Sequence, residues 1–174
     1  MVRDTPSGQT RIRLEMPRAE RALNYFELMN GQDWLRYIGD REITNIAAAR
    51  DYIRDHLLTH HRTHGLGMFS VILPPDQFVG VAGFVKREYL PYPDLGLALL
   101  PQFYRQGIAF EVSRMLLEMA WKRYALPEVL AIALETNERS VKLVKKLGFS
   151  PHGQITNPDG DRLDRYRKVR PSNI

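Results

Sequence analysis

Two stretches of the sequence combine residue types and spacing that could do chemistry. The first is Pro101-Gln102-Phe103-Tyr104-Arg105-Gln106-Gly107-Ile108-Ala109, between a continuous apolar run, Leu95–Leu100, and a helical pattern. The first N–H groups of a helix have no partner within it, and the macrodipole makes that end positive. Gly107 lets the backbone approach a ligand closely, and Ile108 and Ala109 anchor the helix start in the core. The expected product is a nest of amides suited to a diphosphate, to which Arg105 can add a charge-assisted contact. A plain strand–helix turn with one glycine reads the same way. Neither of the standard phosphate fingerprints, GxGxxG and the P-loop, occurs in the chain.

The second stretch runs from Glu135 to Phe149. Asn137 can cap a helix, Lys145 and Lys146 complement its C-terminal dipole, Gly148 stops it and Phe149 packs back. Val141, Val144 and Leu147 face the core. The cap follows a buried strand, Val129–Leu134, at the carboxyl end of the sheet, where ligands bind in open α/β folds.

These stretches need a scaffold, and the periodicity supplies one. Gln9–Leu14 alternates as a first strand. Pro17 opens a helix over Arg18–Met29, stopped by Asn30-Gly31, and a short segment, Trp34–Gly39, follows. Thr44 is the expected N-cap of a helix reaching His64, with Ile46, Ala49, Ile53 and Leu57 as its stripe and Gly65 as its stop. Met68–Leu73 and Phe78–Val85 form a hairpin, since Pro74-Pro75 continues neither strand. Leu95–Leu100, the helix Gly107–Tyr124, Val129–Leu134 and the helix Asn137–Leu147 alternate as two buried parallel strands with crossovers. A last hairpin spans Ile155–Val169 around Asn157-Pro158-Asp159-Gly160.

The 174 residues fit one domain covering residues 1–174, and 44% apolar content supports a core. The absence of cysteine removes disulfides, thiolate metal sites and a cysteine nucleophile, and fits a reducing compartment. With no signal-peptide pattern and no apolar span, the expectation is a soluble cytoplasmic protein without membrane partners. A net charge of +5 and a pI near 9.6 favour phosphate-bearing ligands. Much of the excess lies in Arg162, Arg165, Arg167, Lys168 and Arg170, which read as a solvated edge. His56, His60 and His64 share a helix face by i, i+4 spacing. With no HExxH and no acidic ligand beside them, they read as a solvated face, and no metal is expected.

Taken together, Arg105-Gln106-Gly107-Ile108-Ala109, Asn137-x-x-Ser140 and Leu147-Gly148-Phe149, on strand–helix–strand–helix, resemble the GNAT superfamily of N-acetyltransferases. Arg36-Tyr37-Ile38-Gly39, Asp94–Pro101 and Asn157–Asp161 look like its ribosomal-protein N-terminal acetyltransferase (RimJ/RimL-type) branch. The resemblance spans nearly the whole chain. It implies a mixed α/β (α+β) GNAT fold, with six to seven mostly antiparallel strands, a splayed parallel pair and about four helices.

The resemblance also implies acetyl-CoA as acyl donor. Its pantetheine arm would lie between the two splayed strands. The amides of Leu99, Arg105, Gln106, Gly107, Ile108 and Ala109 would hold pantetheine and pyrophosphate, and Asn137 and Ser140 would sit near the thiol. The chain departs from the family pattern at Tyr104, where Gln or Arg is usual, and at Arg105, often Gly. Val144 stands where many members place a catalytic Tyr, which excludes a tyrosine acid from this helix.

Amine acetylation needs a base to neutralise the amine, a donor for the thioester oxygen and a proton for the departing thiolate. Asp94 is the first candidate base, Glu88 the second and Glu135 the third. A backbone N–H of the splayed strand suits the oxygen, and Ser140 the sulfur. Trp34, Tyr37, Tyr89 and Tyr92 are the candidate lining of the acceptor pocket. The acceptor is a small-molecule or peptide amine, and the protein a monomer or homodimer. Two rival classes are a catalytically silent coenzyme A-binding sensor of the same fold and a nucleic-acid-binding module. The second is disfavoured because no helix-turn-helix, zinc-finger or RNP motif is present.

Overall fold

A computed structural model describes residues 12–174, so the first part of the expected strand at Gln9–Leu14 lies outside the described residues. Seven strands form one sheet in the order β1-β2-β3-β4-β5-β7-β6: β1 (Arg13–Glu15), β2 (Met68–Leu73), β3 (Gln77–Val85), β4 (Asp94–Leu99), β5 (Glu128–Ala133), β6 (Ser150–Thr156) and β7 (Arg162–Val169). All neighbours pair antiparallel except β4 and β5. The helices are α1 (Ala22–Met29), α2 (Gln32–Tyr37), α3 (Ile46–Tyr52), α4 (Thr59–His64), α5 (Ile108–Lys122) and α6 (Glu138–Lys146).

Register fixes which residues share a face. Ser70 pairs with Val81 and takes the Tyr25 hydroxyl of α1 at 2.8 Å, so α1 lies on that side. Phe84, one position out of phase, points to the opposite face and meets Tyr124 just beyond α5 edge-on. Val112, Leu116 and Ala120 of α5, four residues apart on one helix face, are fully buried there. Gly83 marks a close approach: a Cβ on it would lie 2.2 Å from the Gly67 carbonyl oxygen.

Several elements differ from the sequence expectation. Asn45, not Thr44, caps α3, its side chain accepting the Ala48 N–H at 2.8 Å. The helix expected to run on to His64 contains a π-helical stretch, Ile53–Leu58, between α3 and α4. With the wider turn, His56 stacks on Tyr52 while His60 meets His64. The first helix opens with a 3-10 turn at Ala19–Arg21. Trp34 and Tyr37 lie on a helix of their own, α2, one more than the four expected when α3 and α4 are counted as one run. The strand after α6 begins at Ser150 rather than Ile155, because Ser150 and Pro151 already pair with Arg167 and Tyr166 of β7, with a bulge at His152-Gly153 before pairing resumes at Gln154.

Candidate active site

β4 and β5 share one paired position, Asp94 with Leu130, held by the Leu130 N–H on the Pro93 carbonyl at 3.0 Å. Beyond it the strands diverge toward their carboxyl ends. A strand paired on both edges and covered on both faces would be fully buried. Instead Leu95, Gly96, Leu97 and Ala98 are only half-buried, which corrects the expectation of a buried run. Their β5-side edge borders the gap.

The open end of the gap carries the loop. Leu100 leads into a 3-10 turn at Pro101–Phe103, then Tyr104, Arg105, Gln106 and Gly107. Arg105 has φ 59° and Gly107 φ 78°, both left-handed, a loop conformation of the kind from which anion nests are built. Left-handed φ is uncommon for a non-glycine residue. Gly107 is the N-cap of α5, and no side chain caps that helix, so its first N–H groups remain free for a ligand. A Cβ at Gly107 would meet nothing within 4 Å. Arg105 and Gln106 are exposed, Ile108 is buried and Ala109 half-buried. The residues present therefore fit a diphosphate with an arm in the gap.

On the other lip, Asn137 caps α6 by accepting the Ser140 N–H at 3.2 Å. The expected cap is thus observed, with Asn137 and Ser140 adjacent at the end of β5. Glu135 is exposed beside them.

Asp94 lies at the closed end of the gap. It is 2% exposed, and Arg87 donates to its carboxylate through Nε at 2.8 Å and Nη2 at 3.5 Å. Burial pushes the Asp94 carboxyl above its ordinary value, and the Arg87 charge offsets only part of that. Glu88 is exposed. Tyr89 lies beneath the Arg87 guanidinium, 6.0 Å from carbon to ring centroid, and Tyr92 is half-buried in the same loop.

The four aromatics do not form one cluster. Tyr89 and Tyr92 precede β4, whereas Trp34 and Tyr37 sit on α2, which is tied to the far end of β4 through Asp33 and Tyr104. A six-residue strand separates these places by roughly 20 Å. Trp34 Nε1 is buried without a hydrogen-bond partner among the described residues. The Arg36 guanidinium covers the Tyr37 ring at 5.0 Å.

Sequence reasoning missed three residues here: Arg87, Asp33 and Arg139. Arg87 stands one residue before the candidate base Glu88. Asp33 and Arg139 meet across 106 positions, for which no local pattern exists. The histidines likewise do more than face solvent. His60 Nε2 accepts the Lys86 N–H at 3.1 Å, and His61 bonds the Met68 carbonyl at 2.8 Å. Among the described residues no group of three or more metal-ligating side chains gathers, and no helix is long and apolar enough to cross a membrane.

A mixed seven-stranded sheet with one splayed parallel pair, and an amide nest at its open end, defines an acyltransferase of the GNAT fold. Residues 11–150 match the acetyltransferase (GNAT) domain, and the chain belongs to that family, whose members draw acetyl groups from acetyl-CoA. It is similar to the uncharacterized N-acetyltransferase YoaA of Bacillus subtilis, 22% identical over 131 residues, 75% of this chain and 74% of that protein. Among solved structures, an acetyltransferase from Agrobacterium tumefaciens superposes with a TM-score of 0.78 at 19% identity, covering 98% of each chain. The Salmonella typhimurium enzyme that modifies the N-terminal serine of ribosomal protein L7/L12 superposes with a TM-score of 0.75 at 17% identity, over 94% of this chain and 97% of that one. The microcin C7 self-immunity acetyltransferase MccE, in complex with acetyl-CoA and AMP, superposes with a TM-score of 0.77 at 18% identity, over 95% and 97%.

Proposed function

We propose that this acetyl-CoA-dependent acyltransferase acetylates a primary amine, on a protein N-terminus, an amino acid or another small amine, in the cytoplasm. The observation that carries the reading is the single β4–β5 pairing next to the left-handed loop at Arg105 and Gly107. The fold likeness to an enzyme described as modifying a protein N-terminus supports a peptide amine as one acceptor.

The bound donor supplies an activated acyl thioester. The amides of Arg105, Gln106, Gly107, Ile108 and Ala109 hold its diphosphate, and Leu99 and Ala98 line its arm. The β5-side amides of β4 offer donors to a carbonyl oxygen in the gap. Asp94, at the closed end of the gap, takes the proton of the attacking amine through a chain of waters, because Ser140 and the thioester sulfur stand toward the open end. Burial raises its pKa, the direction that makes the carboxylate a stronger base. Arg87 orients that carboxylate. The Ser140 hydroxyl, at the first turn of α6, donates a hydrogen bond to the departing thiolate and relays a proton to it from water, so that no alkoxide is left.

The Arg87–Asp94 bond also favours a second reading, in which Asp94 only fastens the loop before β4. Thiol release from acetyl-CoA with a panel of peptide and small amines tests the activity. The Asp94→Asn variant tests the base. Loss of kcat/KM by roughly 100-fold, with the acid limb of the wild-type pH profile lying above 3.8, is expected of a general base. Unchanged kcat/KM in that variant assigns the residue to fastening alone. Tight coenzyme A binding with no turnover across the panel makes the chain a silent sensor.

A further inference from the structure

Tyr104 follows β4 and Arg139 follows β5, so they stand on opposite lips of the gap. They nevertheless touch: the Arg139 guanidinium carbon lies 4.1 Å from the centroid of the Tyr104 ring. Both also donate to one carboxylate oxygen of Asp33 in α2, Tyr104 through its hydroxyl at 2.8 Å and Arg139 through Nη2. Three segments far apart in sequence therefore meet at one carboxylate across the widest part of the opening.

The charges are set for this meeting. Partial burial pushes Asp33 upward, but the two donors outweigh it and hold the carboxyl below its ordinary value. Burial, with the neighbouring Asp33 charge, pushes the Tyr104 phenol up to about 12, so it remains a donor. Tyr104 brings both a ring and a hydroxyl to this meeting. An aromatic there gives Arg139 a face to cover and Asp33 a hydroxyl to bind.

We propose that Asp33 is a positioning residue that draws Tyr104 and Arg139 together as a bridge over the bound donor's arm. This rests on the reading of the gap as the acetyl-CoA cleft and deepens it. With a diphosphate on the amides of Arg105–Ala109 and an arm running back toward Asp94, the bridge spans the arm and slows its escape. Asp33 touches neither donor nor acceptor. It acts through the two side chains that it holds. Because the same helix carries Trp34 and Tyr37, the bridge also fixes α2, and with it that part of the acceptor lining, relative to the donor.

The test is calorimetry and stopped-flow binding of coenzyme A to the full chain. A hydrogen bond to a charged group supports an expected ~10-fold weakening of Kd in Asp33→Ala, carried by faster dissociation with association little changed. Asp33→Glu, which can still reach both donors, restores most of it. Tyr104→Phe and Arg139→Gln each give a smaller loss than Asp33→Ala. A lower Tm with unchanged Kd and dissociation rate in Asp33→Ala overturns the proposal in favour of a purely structural contact. Faster association with tighter binding overturns it too, since the bridge is then a barrier to entry. Failure of the wild-type chain to bind coenzyme A at all would instead sink the reading of the cleft.

Discussion

Replacing Gly107 with alanine separates what the loop contributes to folding from what it contributes to the donor. Gly107 has φ 78°, and a Cβ there would meet nothing within 4 Å. The stability cost is therefore purely conformational. A left-handed conformation costs an L-residue about 1–2 kcal/mol. Removing glycine also narrows the unfolded ensemble, which returns about 0.4–1 kcal/mol. The net loss is at most about 1.6 kcal/mol, and a chain of this size shifts about 2–4 °C per kcal/mol. The ligand-free Tm should thus fall by no more than about 6 °C. Affinity should suffer more. The added methyl enters the space assigned to the diphosphate and pushes it off amides whose bonds to a charged group are worth about 1.5–3 kcal/mol, a loss of at least ~10-fold in Kd. Thermal unfolding of the free protein and calorimetry with coenzyme A read the two effects independently. A stability loss above about 3 kcal/mol would mean that the loop is not open at Gly107. Unchanged affinity would mean that the diphosphate binds elsewhere.

Two further outcomes follow from single contacts. Asn137→Ala removes the α6 cap and should cost about 1 kcal/mol in urea unfolding. A stability unchanged within error would show that the cap contributes nothing to the fold. His60 accepts the Lys86 N–H, which requires the neutral ring. Burial first, then His64, His61 and Arg87, hold its pKa below the ordinary 6.5. The folded state thus binds fewer protons there than the unfolded one. Its contribution is present above pH 6.5 and is lost as the pH falls through the lowered value. In His60→Gln, whose amide oxygen can still accept the bond, the loss of stability between about pH 7 and pH 5 should be shallower than in wild type. Identical slopes would rule out His60 as a source of that dependence.

What the sequence disclosed was local. The Pro74-Pro75 turn, the capped α6 and the strand–loop–helix around Gly107 each depend on residues within a few positions of one another, and they stand where periodicity and capping place them. The errors share a different cause. Thr44 and Asn45 are neighbours that can both cap a helix, and the choice between them depends on which side chain the backbone brings to the Ala48 N–H. The apolar run of β4 predicts burial, but no pattern in one strand reveals that its neighbour diverges. Asp94 reads as a lone carboxylate until the loop folds Arg87 onto it. The Asp33–Tyr104–Arg139 bridge depends on three elements packing together, and nothing near any of the three signals it.

The lone Asp94–Leu130 pairing has a consequence for the molecule as a mechanical object. The sheet is two ribbons, β1 to β4 and β5 to β6, stitched by one backbone link at the closed end, tied by the Asp33 side-chain bridge at the open end and otherwise joined through the shared core. Each ribbon is sewn internally by antiparallel neighbours, so each resists shear by itself. The seam between them does not. An extended chain of any chemistry that fills the seam with its own amide groups would serve as a surrogate strand and turn two ribbons into one continuous fabric. Catalytic cycling would then alternate a sutured sheet with an unsutured one.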